Sequence, residues 1–391
     1  MAFVGRFFDP PGQSYYLFGP RGTGKSAWTK RHYQDSVCID LLHPATQQRY
    51  RARPERLFDL VHAQPDGQVI VIDEVQRVPD LLSAVHALIE ERRGWRFVLT
   101  GSSARKLRRS GVDLMAGRAV VRTMHPFMAA ELEASFDLPA ALQRGMLPLV
   151  LGADDPVDTL QSYVAVYVRE EVQMEGLVRD LDGFSRFLEA VSFSHAQLLN
   201  VSNIARDSEV SRKTAEGHLG VLEDLLLNFR VPVFRKRAAR ATVAHDKLYL
   251  FDSGVFRSLR PSGPLDRPEE IAGAALEGLV AQHLRAWLAY RGGGDRLFYW
   301  RTRAGAEVDF VLYGPAQFTA IEVKHSATVR SSDLRSLRSF HADYPEADRL
   351  LLHLGEEELS IDGVLCLPCD RFLRRLHPRD ALSSRDYTRP R

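Results

Sequence analysis

Cysteine is scarce: three residues in a chain of 391. So few thiols argue against a disulfide-stapled scaffold and fit a reduced, cytoplasmic protein. Two of them form Cys366-Leu-Pro-Cys369. No second such pair, no histidine at ligand spacing and no thioredoxin-like context accompanies them, so they read as small buried apolar residues. Long apolar runs are missing too, and none approaches the roughly 20 residues of a membrane-spanning helix. The opening Met1-Ala-Phe-Val-Gly-Arg6 stretch lacks the apolar core of a signal peptide. Neither charge sign dominates, since 52 Lys and Arg face 50 Asp and Glu. Nucleic-acid contact must therefore come from local basic patches. There is no internal repeat and no low-complexity tract.

What is present is an ordinary globular composition, 45% hydrophobic and 26% charged, in a chain long enough for two to three domains. Short apolar runs alternate with amphipathic stretches over the first 125 or so residues, the pattern of an α/β domain with a parallel sheet. The strands expected there are Tyr15–Phe18, Ser36–Leu41, Val69–Ile72, Phe97–Thr100 and Ala119–Thr123. The boundaries implied are 1–130 for this core, 131–184 for a helical segment, 185–262 for helices followed by short β stretches, 263–375 for a last α/β domain and 376–391 for a polar, Arg-rich tail. Pro261, Gly263, Pro264 and Pro268 punctuate the third boundary.

Gly19-Pro20-Arg21-Gly22-Thr23-Gly24-Lys25-Ser26 lies between an apolar strand and a helix. Its glycines let backbone N–H groups turn inward toward phosphate oxygens, and the helix adds its positive N-terminal end. Lys25 is expected to reach the β- and γ-phosphates of ATP, and the Ser26 hydroxyl to ligate Mg²⁺. The buried run Val69-Ile-Val-Ile72 ends in Asp73-Glu74. Asp73 would hold Mg²⁺ through water and Glu74 would polarise the attacking water as general base. The next strand ends Leu99-Thr100-Gly101-Ser102-Ser103, where Thr100 or Ser102 would sense the γ-phosphate. Arg118 follows Met115-Ala-Gly117, just before the fifth strand. It either projects toward a neighbouring subunit's nucleotide, which implies a homo-oligomer, or caps a helix end as a surface arginine.

This order of elements resembles the AAA-type P-loop ATPases. It is closer still to a bacterial and archaeal family that joins such an ATPase to a C-terminal nuclease-like domain of unknown function. The residues that carry the resemblance are the Gly19–Ser26 loop, Asp73-Glu74-Val75-Gln76, Thr100-Gly-Ser-Ser103, Gly117-Arg118, His125-Pro-Phe127 with Glu131, Trp300-Arg-Thr302, Glu307-Val-Asp309-Phe and Ile321-Glu-Val-Lys324. Phe3-Val-Gly-Arg6 looks like the adenine-side box of related ATPases, although it sits unusually close to the loop.

Residues 198–227 carry helix-turn-helix patterning. Ile204, Ala205 and Val210 face inward, then Ala215, Leu219, Leu222 and Leu226 at helical spacing, with Ser211 as N-cap of the second helix. The β stretches that follow suggest a winged version. Arg212 and Lys213 would meet nucleic acid at the helix start, with Arg235, Lys236, Arg237 and Arg240 on the wing. The bland alternative is a packing module.

Strands Leu297–Arg303, Glu307–Tyr313 and Phe318–Lys324 read as an antiparallel meander. A symmetric turn at Gly314-Pro-Ala-Gln317 pairs Asp309 with Glu322 and Glu307 with Lys324, all four side chains on one face. Facing carboxylates ask for a compensating cation, either Mg²⁺ or Lys324. An Asp followed by Glu-x-Lys on the next strand resembles the PD-(D/E)XK nuclease core. By that likeness Asp309 and Glu322 hold Mg²⁺, Lys324 assists hydrolysis, and Glu277 adds the carboxylate of the first helix.

The fold class expected is thus a P-loop ATPase parallel sheet, then a helical and winged-helix segment, then a PD-(D/E)XK nuclease-like α/β domain. The function expected is a Mg²⁺-dependent ATPase coupled to a domain that binds, and on the nuclease likeness cleaves, DNA or RNA. One rival is an ATP-driven switch or scaffold whose nuclease-like domain is inactive. Another is a DNA-binding regulator.

Overall fold

The computed structural model describes residues 3–102, 118–168, 180–236 and 245–382. Chain contacts divide it into two compact units, one of residues 8–125 with 220–227, the other of residues 1–7, 126–219 and 228–391.

The smaller unit is built on β1 (Tyr15–Phe18), β2 (Val37–Asp40), β3 (Val69–Asp73), β4 (Arg96–Gly101) and β5 (Val120–Thr123). They form one parallel sheet in the order β2-β3-β4-β1-β5. Strands such as Val69-Ile-Val-Ile72 are apolar at nearly every position because a parallel sheet is covered on both faces. Tyr16, Leu17, Ile70 and Ile72 are fully buried. The Leu81–Glu90 helix seats Leu81, Leu82, Val85 and Leu88 in the same core as Ile72, Phe97 and Leu99. The decisive feature is order: β4 lies between β1 and β3, so its tip stands between the tips of the other two.

The larger unit carries, after several short helices, β6 (Gln197–Leu198), β7 (Asn228–Val231) and β8 (Lys247–Leu250), arranged β6-β8-β7. Helices Val201–Asp207 and Arg212–Asp224 intervene between β6 and β7. Ser211 Oγ accepts from the Thr214 N–H at 3.0 Å, which caps the second helix as expected. The Pro268–Arg291 helix then buries Leu276, Leu279, Val280, Leu284 and Trp287 against a mixed sheet. That sheet comprises β9 (Arg296–Arg301), β10 (Glu307–Tyr313), β11 (Phe318–Val323), β12 (Asp348–His353), β13 (Leu359–Ile361) and β14 (Val364–Pro368). Its order is β13-β14-β12-β11-β10-β9.

The β10–β11 register is the symmetric one, with Phe310 opposite Ile321 and Tyr313 opposite Phe318. The β9–β10 ladder is irregular between Val308 and Val311, which places a bulge at Asp309 and Phe310. Bulges of this kind re-aim a side chain.

Residues 228–391 lie in a single compact unit. The chain after β7 bridges directly to β9, where Phe234 N donates to Tyr299 O at 2.6 Å and Tyr299 N donates to Pro232 O at 3.0 Å. Arg6 belongs to this larger unit. It ion-pairs with Glu131 at 3.3 Å and lies over the Phe127 ring at 4.5 Å. Cys366 and Cys369 are fully buried, as read from the sequence.

Candidate functional site

The loop between β1 and the Lys25–His32 helix turns on two glycines in the left-handed region, Gly22 at φ 83° and Gly24 at φ 86°. A side chain at either position would strain the backbone. Gly24 is also the N-cap, and no side chain caps the helix. Its first N–H groups are therefore directed at the loop, an arrangement suited to an anion. Lys25 is 5% exposed and folds back over the loop, donating from Nζ to Gly19 O at 2.7 Å and Pro20 O at 3.1 Å. Thr23 Oγ1 donates to Pro20 O at 2.8 Å and closes the turn.

The strand order brings Thr100 to Asp73. The Thr100 hydroxyl donates to Asp73 Oδ1 and accepts from the Glu74 N–H at 3.1 Å. Thr100 is fully buried and thereby orients the carboxylate corner. Glu74 sits in the left-handed region at φ 59°. A non-glycine residue there is strained, and such strain gathers at functional corners. Gln76 holds it: its amide donates to the Glu74 carboxylate and to Ser102 Oγ at 3.2 Å. Gly101 makes this possible, since a Cβ there would stand 2.5 Å from Gln76 Oε1. In the sequence Gln76 stands out only as part of the Asp73–Gln76 motif. The signal for its role is its place two residues after the glutamate.

These residues fit a Mg²⁺-bound nucleoside triphosphate. An uncapped helix start, a buried lysine on the loop and a buried aspartate at the neighbouring strand tip supply the donors and the anionic ligand. Arg118 is paired with Glu90, the last residue of the Leu81–Glu90 helix, and both side chains are partly exposed. The contact lies at a helix C-terminus, where a cation is favourable.

The expected nucleic-acid residues are less uniform. Arg212 and Lys213 are exposed at the helix start, but Arg212 Nε is engaged by Glu216 at 3.0 Å. Lys236 lies over the Tyr313 ring at 4.4 Å. Arg235 is exposed. Arg237 and Arg240 lie outside the described residues, as do Ser103 and Gly117.

The C-terminal carboxylates converge, but on a cation that the sequence did not nominate. Lys247, first residue of β8, reaches Glu277 Oε1 at 3.0 Å, Asp309 Oδ1 at 3.4 Å and Glu307. Its side chain is 2% exposed. Tyr249 donates to Glu277 Oε1 at 2.6 Å, and the Val323 N–H donates to Asp309 Oδ2 at 2.9 Å. Lys324 Nζ goes to Glu322 Oε1 at 2.6 Å. Glu307 pairs with Arg301 at 2.8 Å as well as with Lys247. Burial opposes the charge on Lys247, but Glu277, Tyr249, Asp309 and Glu307 together hold its ammonium well above the usual lysine range. Burial, then the charge of Asp309, push the Glu322 carboxyl well up against the pull of Lys324. Burial likewise raises Glu277. Among the described residues, no group of three or more His, Cys, Asp or Glu is placed to hold a metal ion.

Residues 12–133 match the family model of an AAA domain. Residues 135–266 and 272–372 each match the model of a domain of unknown function (DUF8612 and DUF4143). The chain is similar to two mycobacterial proteins: the uncharacterized protein Rv2008c of Mycobacterium tuberculosis (strain ATCC 25618 / H37Rv) and the uncharacterized protein Mb2031c of Mycobacterium bovis (strain ATCC BAA-935 / AF2122/97). Each is 25% identical over 312 residues, covering 78% of this chain and 69% of the relative. The AAA match supports nucleotide binding and an ATPase at the level of the family. No helix among the described residues is long and apolar enough to cross a membrane.

Proposed function

We propose that this chain is a Mg²⁺-dependent ATPase that serves as a nucleotide-driven switch, its C-terminal domain acting as a binding or scaffold element. The observation that carries the ATPase is the corner where Thr100 joins Asp73 to the backbone of Glu74, one strand away from the Gly19–Ser26 loop. Lys25 and the N–H groups of the loop would bind the β- and γ-phosphates, and Ser26 with Asp73 would hold Mg²⁺. Bound there, Mg²⁺ neutralises charge on the phosphate oxygens. Glu74 would accept a proton from the attacking water, and Gln76 with Ser102 fixes its direction.

The test is hydrolysis and nucleotide binding measured on Lys25→Ala and Glu74→Gln. Lys25→Ala should lose both, because the phosphates lose their cation. Glu74→Gln should keep binding and lose turnover. Full hydrolysis by both variants would overturn the assignment.

A second reading, nucleic-acid binding, is favoured by the helix pair followed by the β7–β8 strands, with Lys213 exposed at the start of the second helix. That is the element which winged-helix proteins place against phosphates. A nuclease reading of the C-terminal domain has the converging carboxylates in its favour and Lys247 against it.

A further inference from the structure

The carboxylates of Glu277, Glu307, Asp309 and Glu322 come from one helix and two strands, yet the group at their centre comes from the preceding sheet. β8 is aligned by β7, where Lys247 stands opposite Val231. The two residues beyond Val231 lead into the bridge to Tyr299 of β9. This carries Lys247 to the mouth of the acidic pocket, and its Nζ also lies 5.7 Å from the centre of the Tyr299 ring.

An ammonium has three N–H donors and no acceptor. Lys247 spends them on Glu277, Glu307 and Asp309. A divalent cation would need the same oxygens at about 2.0–2.6 Å, in the place where the ammonium sits. Two cations sharing one buried set of carboxylates would repel each other strongly. These residues therefore do not fit the Mg²⁺ site that the nuclease likeness implies.

We infer that Lys247 is the resident cation of this cluster, so that the domain keeps an acidic frame without a divalent metal, and that neutralising Lys247 turns the frame into a divalent-cation site. A second observation points the same way. Glu322 is 4% exposed and its Oε2 has no hydrogen-bond partner, so one buried acceptor stands open beside Asp309. With Lys247 in place that acceptor is idle. With the ammonium gone, it and the oxygens of Asp309 and Glu277 form an uncompensated anionic pocket, whose cheapest remedy is a metal ion. The lysine also fastens the β6–β8 sheet to the C-terminal sheet, a role that no bound ion could fill through the same chain segment.

The experiment is Mn²⁺ binding to the full chain without nucleotide, followed by electron paramagnetic resonance, with Asp309→Asn as the control that assigns any signal to this cluster. Wild type and Asp309→Asn should bind Mn²⁺ alike. Lys247→Met should gain one bound Mn²⁺ per chain, lost again in Lys247→Met/Asp309→Asn, while Lys247→Arg should behave as wild type. If Lys247→Met does not fold, Lys247→Gln takes its place, and should neither fold, the comparison of wild type with Asp309→Asn decides alone. Asp309-dependent Mn²⁺ binding by the wild type would overturn the inference. So would a folded Lys247→Met or Lys247→Gln protein that gains no site.

Discussion

The side-chain amide of Gln76 donates to the carboxylate of Glu74, two residues before it, while also donating to Ser102 Oγ. A hydrogen bond to a charged group is worth about 1.5–3 kcal/mol. Gln76→Ala should therefore lower kcat for ATP on the order of tenfold or more and leave nucleotide affinity nearly unchanged. Steady-state kinetics beside equilibrium nucleotide binding separates the two, and an unchanged kcat would make Gln76 a mere packing residue.

Thr100→Val removes the hydroxyl that serves Asp73 and the Glu74 N–H but keeps the side chain's shape. It leaves a buried carboxylate and a backbone donor short of a partner, at a cost on the order of 1–3 kcal/mol. Denaturant midpoints should fall and hydrolysis with them, whereas Thr100→Ser should restore both. Wild-type stability in the valine variant would show that the contact is dispensable.

Arg118 and Glu90 can be separated by mutation. If the arginine serves a neighbouring subunit's nucleotide, Arg118→Ala should abolish turnover, Glu90→Gln should retain it, and mixing Arg118→Ala with Lys25→Ala protein should rescue part of the activity. If the pair is only a helix-end contact, as its exposure suggests, both single variants keep turnover. A protein that sediments as a monomer at all nucleotide concentrations would decide for the latter.

His283 gives a pH dependence with a definite sign. Its Nε2 accepts from the Ala129 N–H at 2.9 Å, so Nδ1 carries the hydrogen and donates to Leu279 O at 2.7 Å. Burial lowers its pKa from 6.5 to about 4, so the folded protein disfavours the imidazolium. The unfolded chain binds the proton more readily, so stability is full above pH 6.5 and drains away as pH falls toward 4. Burial does the same to His195, whose pKa falls to about 3. Urea midpoints across that range should drop, and more shallowly in His283→Gln. A flat profile in wild type would contradict this account.

Nucleic-acid binding, if it runs through the helix start, should weaken with salt, because bound cations displace counterions from phosphates. Lys213→Glu should reduce the affinity and flatten the slope of log K against log salt by roughly 0.9 for one lost duplex-phosphate contact. Arg212→Glu should do less, since Glu216 already engages that guanidinium. Equal affinity at low and moderate salt would remove the helix from consideration.

Much of the scaffold is legible in the residues. Tyr15–Phe18 and Glu307–Tyr313 are strands over their full expected spans, because apolar runs bounded by turns leave little choice of register. The symmetric turn after Tyr313 sets which residue of β11 faces which of β10. The partner of Asp309 is another matter. Lys247 lies far upstream in a short strand, and only tertiary packing aims its side chain at the Pro268–Arg291 helix and β10. Arg6 is similar: local spacing ties it to the phosphate loop that follows, but it belongs to the larger unit together with its partner Glu131. Periodicity reports which face of an element is buried, and it carries no word about which distant element covers that face.

The bridge between residues 232–234 and Tyr299 also guards a liability. β9 ends its six-stranded sheet, and its sequence from Arg296 to Arg301 is Arg-Leu-Phe-Tyr-Trp-Arg. An exposed edge of that composition is a template for pairing with another chain. Cutting the protein at the proline-rich stretch near residue 263 to isolate the last domain would strip away the segment that covers this edge. The fragment would retain every strand of its sheet and still self-associate, since its outermost row of amides and carbonyls would be left facing solvent with three aromatic rings and a leucine for company.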